Sequence, residues 1–98
     1  MEIRKTVDGS KLVLAPVGKL DAMSAPELGD IVRKELDGVT ELGFDLSELT
    51  YTSSAGLRVF ISAQKIMSKQ GSMYICNVCD EIKEVFELVG FNDIFDIR

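Results

Sequence analysis

The sequence has no histidine and only two cysteines, Cys76 and Cys79. Without an imidazole, the chain cannot activate a serine or cysteine nucleophile in the Ser-His or Cys-His manner, and it cannot build a histidine metal site. A zinc site based on the C-x-x-C pair would need ligands from a second chain. We therefore expect no metal and no cofactor.

Positive charge is also scarce, because 11 Lys and Arg residues stand against 16 Asp and Glu residues, for a net charge of −5. Nucleic acids and anionic membranes attract basic patches, so both are poor partners for this chain. No apolar run approaches the roughly 20 residues of a membrane span. The first residues also lack the apolar core of a signal peptide. We expect a cytoplasmic protein that contacts neither nucleic acid nor membrane directly.

With 46% hydrophobic and 28% charged residues, the chain has the composition of a globular domain. Its 98 residues fit one domain, which we place over positions 1–98. Ser24 and Glu27 form a predicted capping box at the start of a first helix, and Asp80 is predicted to cap a third. Three segments have apolar residues at helical spacing, namely residues 24–36, 55–70 and 80–90.

Shorter runs between the predicted helices are typical of strands. The second and fourth of them are almost continuously apolar, which predicts burial on both faces, and Asp8-Gly9 favours a hairpin between the first two. The alternation of strands and helices predicts an α/β fold with one mixed, mainly parallel sheet of about four to five strands, helices packed on it and an N-terminal β-hairpin. The predicted strands are residues 2–7, 11–17, 41–46 and 72–78, with a last short strand or turn at 94–97.

Two loops, residues 18–23 and 51–56, follow predicted strands and precede helices, which is where binding sites of parallel sheets lie. The second loop contains Ser53 and Ser54. A hydrolytic serine nucleophile is excluded because no base is available, and a phosphate-binding loop is disfavoured because the Walker lysine is missing. Two interpretations stay open from the local sequence. The serines cap the following helix, or one of them receives a phosphate that the helix N-terminus tolerates and a bound partner does not.

The run DLSELTYTSSAGLRVF, residues 45–60, resembles the signature of the STAS-domain family, the anti-sigma factor antagonists of bacteria. GKLDAMSAPEL and the closing segment GSMYICNVCDEIKEVFELVGFNDIFDI are similar to two further family segments in the same order. The resemblance implies the STAS fold and no enzymatic activity or small-molecule substrate. It implies that the unmodified protein binds an anti-sigma factor that is also a serine kinase, and so releases a sigma factor. Phosphorylation by that kinase breaks the complex, and a serine phosphatase restores the antagonist.

Carried over residue by residue, the family pattern places the phosphate on Ser54, by its spacing from Tyr51 and from Gly56. Ser53 stands where the family commonly has an aspartate. Arg58 replaces a glycine and adds a cation one helical turn after Ser54, where it could pair with the phosphate.

Asp21 matches an aspartate that the family places beside the partner surface, with hydrogen bonding to its own loop backbone as the alternative. We expect the two loops to emerge at the same sheet edge. The resemblance implies a partner surface made of Asp21, Ala22, Met23, Ser24, Thr52, Ser53, Ser54, Gly56, Leu57 and Arg58.

Two other functions remain open. The first is a STAS binding subunit of another cytoplasmic regulatory or transport assembly. The second is a thiol oxidoreductase that uses Cys76 and Cys79. It is disfavoured because Cys76 is predicted inside an apolar strand and Asp80 at the helix cap, whereas a redox pair needs an exposed cysteine at a helix N-terminus. We expect both thiols to be small packing residues.

Overall fold

A computed structural model describes residues 1–98 and contains seven strands and three helices. In chain order they are β1 (Ile3–Asp8), β2 (Lys11–Pro16), β3 (Gly18–Leu20), α1 (Ala25–Glu35), β4 (Glu41–Asp45), β5 (Leu49–Thr52), α2 (Ser54–Met67), β6 (Ser72–Cys76), α3 (Asp80–Leu88) and, after a short 3₁₀ turn at Phe91–Asp93, β7 (Asp96–Ile97). None of the helices combines the length and the apolar character that crossing a membrane requires.

Five of the strands form the main sheet, in the spatial order β1-β2-β4-β6-β7. β1 is antiparallel to β2, and every other neighbouring pair is parallel. The predicted mixed, mainly parallel sheet with an N-terminal hairpin is thereby confirmed. The hairpin turn consists of Gly9 and Ser10, between the paired residues Asp8 and Lys11, and Gly9 has a φ of +60° that favours glycine.

β3 and β5 form a second, two-stranded parallel sheet that the sequence pattern did not predict. These strands have three and four residues, too few for an alternating pattern to stand out. Leu20 and Leu49 anchor them in the core, since each side chain is almost fully buried. Because the two strands are parallel neighbours, the loops that follow them begin side by side.

The three helices share one apolar core with the main sheet, a cluster of 22 buried residues. Phe44 of β4 meets Phe60 of α2 edge to face at 5.0 Å between ring centroids, and Phe60 meets Phe86 of α3 at 6.0 Å. Leu28 and Val32 bring α1 into the same cluster. The apolar stripes predicted for the helices are the faces that make this core.

β2 differs from the prediction that both of its faces are buried. Leu12, Leu14 and Pro16 are buried, but the residues that alternate with them are only half-buried. β6 comes closer to that prediction. Tyr74 is buried over Gly43 of the neighbouring strand, where a β-carbon would overlap its ring, and the neighbours of Tyr74 in the chain are buried on the other face, but Ser72 is exposed and Cys76 half-buried.

The predicted helix caps are also corrected. Ser24 precedes α1, but its hydroxyl makes no capping bond and no capping box forms with Glu27, whose carboxylate instead binds the N-terminal amine. Cys79, rather than Asp80, occupies the N-cap position of α3. α2 ends at Met67, three residues before the predicted end.

Candidate functional site

The small sheet brings the two predicted site loops together. Leu20 at the end of β3 is paired with Thr52 at the end of β5, and the Ser53 amide donates a hydrogen bond to the Leu20 carbonyl at 2.8 Å. Ala22 of the first loop and Ala55 of α2 line the same groove. The two loops therefore form one surface, and it is the β3–β5 pair, not the edge of the main sheet, that aligns them.

Asp21 is engaged in organising the first loop. One carboxylate oxygen, Oδ1, accepts hydrogen bonds from the amides of Met23 and Ser24 at 2.9 and 3.0 Å and from the Ser24 hydroxyl at 3.2 Å. The Ser24 backbone contact, followed by that of Met23, holds the pKa of Asp21 below its usual value. Asp21 therefore bonds its own loop, and its place on the partner surface stays a prediction.

Ser24 completes this loop in a way that explains the missing capping box. Its hydroxyl donates to the Lys19 carbonyl at 2.8 Å and accepts from the Asp21 amide at 2.9 Å. These bonds direct the hydroxyl to the loop rather than to the first amides of α1, and the α-helical backbone of Ser24 differs from the extended one typical of an N-cap. The loop presents Met23 outward, with 86% of its surface exposed, which is unusual for a large apolar side chain held by a bonded backbone.

The two serines have different environments. Ser53 takes the N-cap position of α2 with an extended backbone, but its side chain makes no capping bond, and its Oγ is buried without any hydrogen-bond partner. Ser54 is the first residue of α2, and it is exposed. Only Ser54 therefore offers its hydroxyl to an approaching enzyme.

Gly56 and Thr52 hold the first turn of α2 against the small sheet. A β-carbon on Gly56 would lie 2.7 Å from Leu20 Cδ2 and closer still to Thr52 Oγ1, and both neighbours are buried. The Leu57 amide donates to the Ser53 carbonyl at 3.1 Å, which closes the first helical turn. The position of Ser54 thus depends on the close approach that a glycine permits.

Arg58 lies one turn after Ser54 and is exposed. With Arg33 it borders the α1–α2 groove, a cavity of about 270 Å³ lined also by Ala22, Ala25, Pro26, Gly29, Ala55 and Val59. Arg33 and Gly29 were not among the predicted site residues, because only the packing of α1 against α2 brings them to this surface.

The cysteines lie elsewhere, at the junction of β6 and α3. Both are free and half-buried, Cys76 at the end of its strand and Cys79 at the N-cap of α3. The expectation that Asp80 stands at the cap is therefore wrong. Burial, and secondarily the Asp45 carboxylate, raise the pKa of the Cys76 thiol, which disfavours the reactive thiolate. No three His, Cys, Asp or Glu side chains lie close enough together to hold a metal ion.

Comparison with known proteins places the chain in a family. The STAS domain family model matches residues 2–98. The chain is 34% identical over 85 residues to the anti-sigma-B factor antagonist of Bacillus subtilis, covering 82% of this chain and 74% of that protein. It is 30% identical over 97 residues to the anti-sigma-B factor antagonist of Listeria monocytogenes, covering 96% and 84%. The Bacillus cell fate determinant SpoIIAA in its phosphorylated form has the same fold, with a TM-score of 0.78 at 15% identity over 99% of this chain and 91% of that one. The chain is therefore a member of the STAS domain family and is similar to its anti-sigma factor antagonists.

Proposed function

We propose that the protein is an anti-sigma factor antagonist switched by phosphorylation of Ser54. The unmodified form binds an anti-sigma factor with serine kinase activity in the cytoplasm and thereby frees a sigma factor. That kinase transfers the γ-phosphoryl group of ATP to Ser54 Oγ, which loses its proton as ADP leaves. A serine phosphatase hydrolyses the ester and restores the hydroxyl. The protein itself acts by binding and catalyses none of these steps.

The observation that carries this proposal is the contrast between the two serine hydroxyls. Ser54 is exposed, whereas the Ser53 oxygen is buried in the body of the protein. A kinase needs the attacking oxygen within reach of the phosphoryl group in a nearly in-line geometry. The exposed Ser54 hydroxyl is accessible to a kinase in the folded chain, whereas the Ser53 Oγ must first turn out of its buried position.

The fold should also survive the modification. Ser54 occupies the first position of α2, where the helix dipole favours an anion by about 0.3–1 kcal/mol. A bound partner is affected differently, because a phosphate adds about −1.5 to −2 charges to the contact surface. Such a charge must be desolvated when a partner covers this surface. The modification therefore weakens binding while leaving the antagonist folded.

The fold alone would equally suit a STAS subunit of another regulatory or transport assembly. The sequence relatives favour the antagonist role, since two proteins named as antagonists share at least 30% identity over most of their length. The chain shares its fold with SpoIIAA in its phosphorylated form, which supports the proposal that this fold tolerates a phosphate.

The test is to recover binding proteins with the unmodified chain and with Ser54→Asp, and then to incubate the chain with the recovered kinase and ATP. We expect an anti-sigma factor with the unmodified chain only, and a single phosphate on Ser54 by fragmentation mass spectrometry. Ser53→Ala is the matched control and should still be modified, whereas Ser54→Ala should not. Phosphate on Ser53, or no phosphate with an active kinase, would contradict the mechanism. Partners of the transport class with both variants would favour the other assembly.

A further inference from the structure

A phosphate on Ser54 would stand near an arginine that has no partner in the unmodified chain. Arg58 takes part in none of the ion pairs of the protein. It follows Ser54 by four residues on α2. Residues at this spacing lie on the same helix face with their β-carbons about 5–6 Å apart. The long arginine side chain can span that separation.

We propose that Arg58 is the intramolecular counter-ion of phosphate on Ser54, a proposal that rests on the function proposed above. Two parallel N–H···O bonds from one guanidinium to two phosphate oxygens are the geometry that arginine favours with phosphate. Phosphorylation then does two things at once. It adds negative charge to the contact surface, and it withdraws a cation from that surface.

The surroundings leave Arg58 free for this role. The other guanidinium of the α1–α2 groove, that of Arg33, is paired with Asp30 on its own helix. The Asp21 carboxylate of the first site loop is bonded to its own loop through Oδ1. Ala22 and Ala55 in the groove wall are too small to obstruct a rotation of the Arg58 side chain. In the unmodified protein, no carboxylate forms an ion pair with Arg58.

The pairing has a consequence for the switch. A nearby guanidinium favours the doubly charged phosphate over the singly charged one, so the modified protein carries its full charge at neutral pH. Ser54→Asp has one charge and one fewer oxygen, and is expected to engage Arg58 less well. The aspartate variant should accordingly be an incomplete mimic of the phosphorylated protein.

The test installs phosphoserine at position 54 of the full chain by genetic encoding, so that no kinase is needed. The phosphate is titrated by ³¹P NMR in three backgrounds: the natural sequence, Arg58→Gln and Lys65→Gln. Lys65→Gln is the matched control. It removes the same charge from the same helix, but lies 11 residues from position 54, roughly 16 Å along the axis and beyond the Debye length of about 8 Å.

The phosphate midpoint in Arg58→Gln should lie higher than in the natural sequence by roughly 0.2–0.7 pH, the range of an exposed ion pair, and this difference should shrink in about 1 M salt. Lys65→Gln should leave the midpoint in place. Equal midpoints with and without Arg58, or the same displacement in Lys65→Gln, would overturn the pairing. A failure to find phosphate on Ser54 with an active kinase would overturn the proposed function instead, and the titration is independent of that result.

Discussion

Gly56→Ala should damage both the stability and the binding surface of the protein, although it adds only a methyl group. The new β-carbon would lie 2.7 Å from Leu20 Cδ2 and nearer still to Thr52 Oγ1. Both neighbours are buried, so neither can swing out into solvent. Overpacking of this kind costs about 1–3 kcal/mol. Replacing a helical glycine by alanine returns up to about 1 kcal/mol.

The expected net loss is up to about 2 kcal/mol, which for a chain of this size corresponds to a fall in Tm of up to roughly 16 °C. Thermal unfolding followed by circular dichroism measures it. Partner affinity of the folded variant should also fall, because relieving the overlap shifts the first turn of α2 and with it Ser54. Adding Thr52→Ala removes one of the two overlaps and should recover part of the loss, which a double-mutant cycle would detect as coupling.

Gly29→Ala is the matched control, since it places the same methyl group on the neighbouring helix. Its β-carbon would meet only the flexible end of Arg33 at 3.3 Å and Val59 at 3.8 Å. This variant should be as stable as the natural protein or more stable. If Gly56→Ala matches Gly29→Ala in Tm, the close packing of α2 on the small sheet is not what positions Ser54, and the reasoning is refuted.

Three further outcomes are expected. Ser54→Ala should bind its partner and remain bound in the presence of kinase and ATP, whereas Ser54→Asp should lose affinity at an unchanged Tm; a surface plasmon resonance series that shows equal affinities would contradict the switch. Asp45 accepts hydrogen bonds from Asn77 and the Ser47 amide. The Asn77 contact lowers the pKa of Asp45, so the ionised carboxylate stabilises the fold at neutral pH, and this stabilisation is lost as pH falls through the lowered pKa. Asp45→Asn should thus lower the Tm at pH 7 and lose that difference below about pH 4; a difference that persists in acid would place its cause elsewhere. Replacing Cys76 and Cys79 together by alanine should leave partner binding intact, and a loss of binding by the folded variant would reopen the thiol function.

The sequence predictions succeed for the elements whose pattern of apolar residues is long. The helices and the main strands carry several turns or alternations of apolar residues, and their order and core faces are as predicted. β3 and β5 are too short to carry such a signal, and their pairing joins residues about 30 positions apart. Burial on both faces was wrong for β2 because composition reports how apolar a strand is, not how many layers cover it.

The capping prediction for Ser24 failed for a different physical reason, the local backbone. A good cap has an extended backbone that aims its oxygen at the first helical amides, whereas Ser24 has an α-helical backbone and its hydroxyl is bonded to the Lys19 carbonyl and the Asp21 amide. That geometry is set by the backbone path of the loop, which the order of residue types does not reveal. The same limit applies to Arg33, which reaches the candidate site only through helix packing.

The choice between the two serines shows what the structure adds to a family pattern. The spacing from Tyr51 selects Ser54 by analogy and gives no physical reason why its neighbour should differ. In the fold, the Ser53 amide is tied to β3 and its hydroxyl is buried, so this residue belongs to the scaffold. One position later the chain enters α2 and the side chain turns to solvent. Because Ser53 still has an extended backbone and Ser54 is already helical, a one-residue difference is enough to separate a buried anchor from an accessible acceptor. For Ser53 to become the exposed serine and Ser54 the buried one, the start of α2 would have to move. The packing of Gly56 against Thr52 and Leu20 opposes that movement.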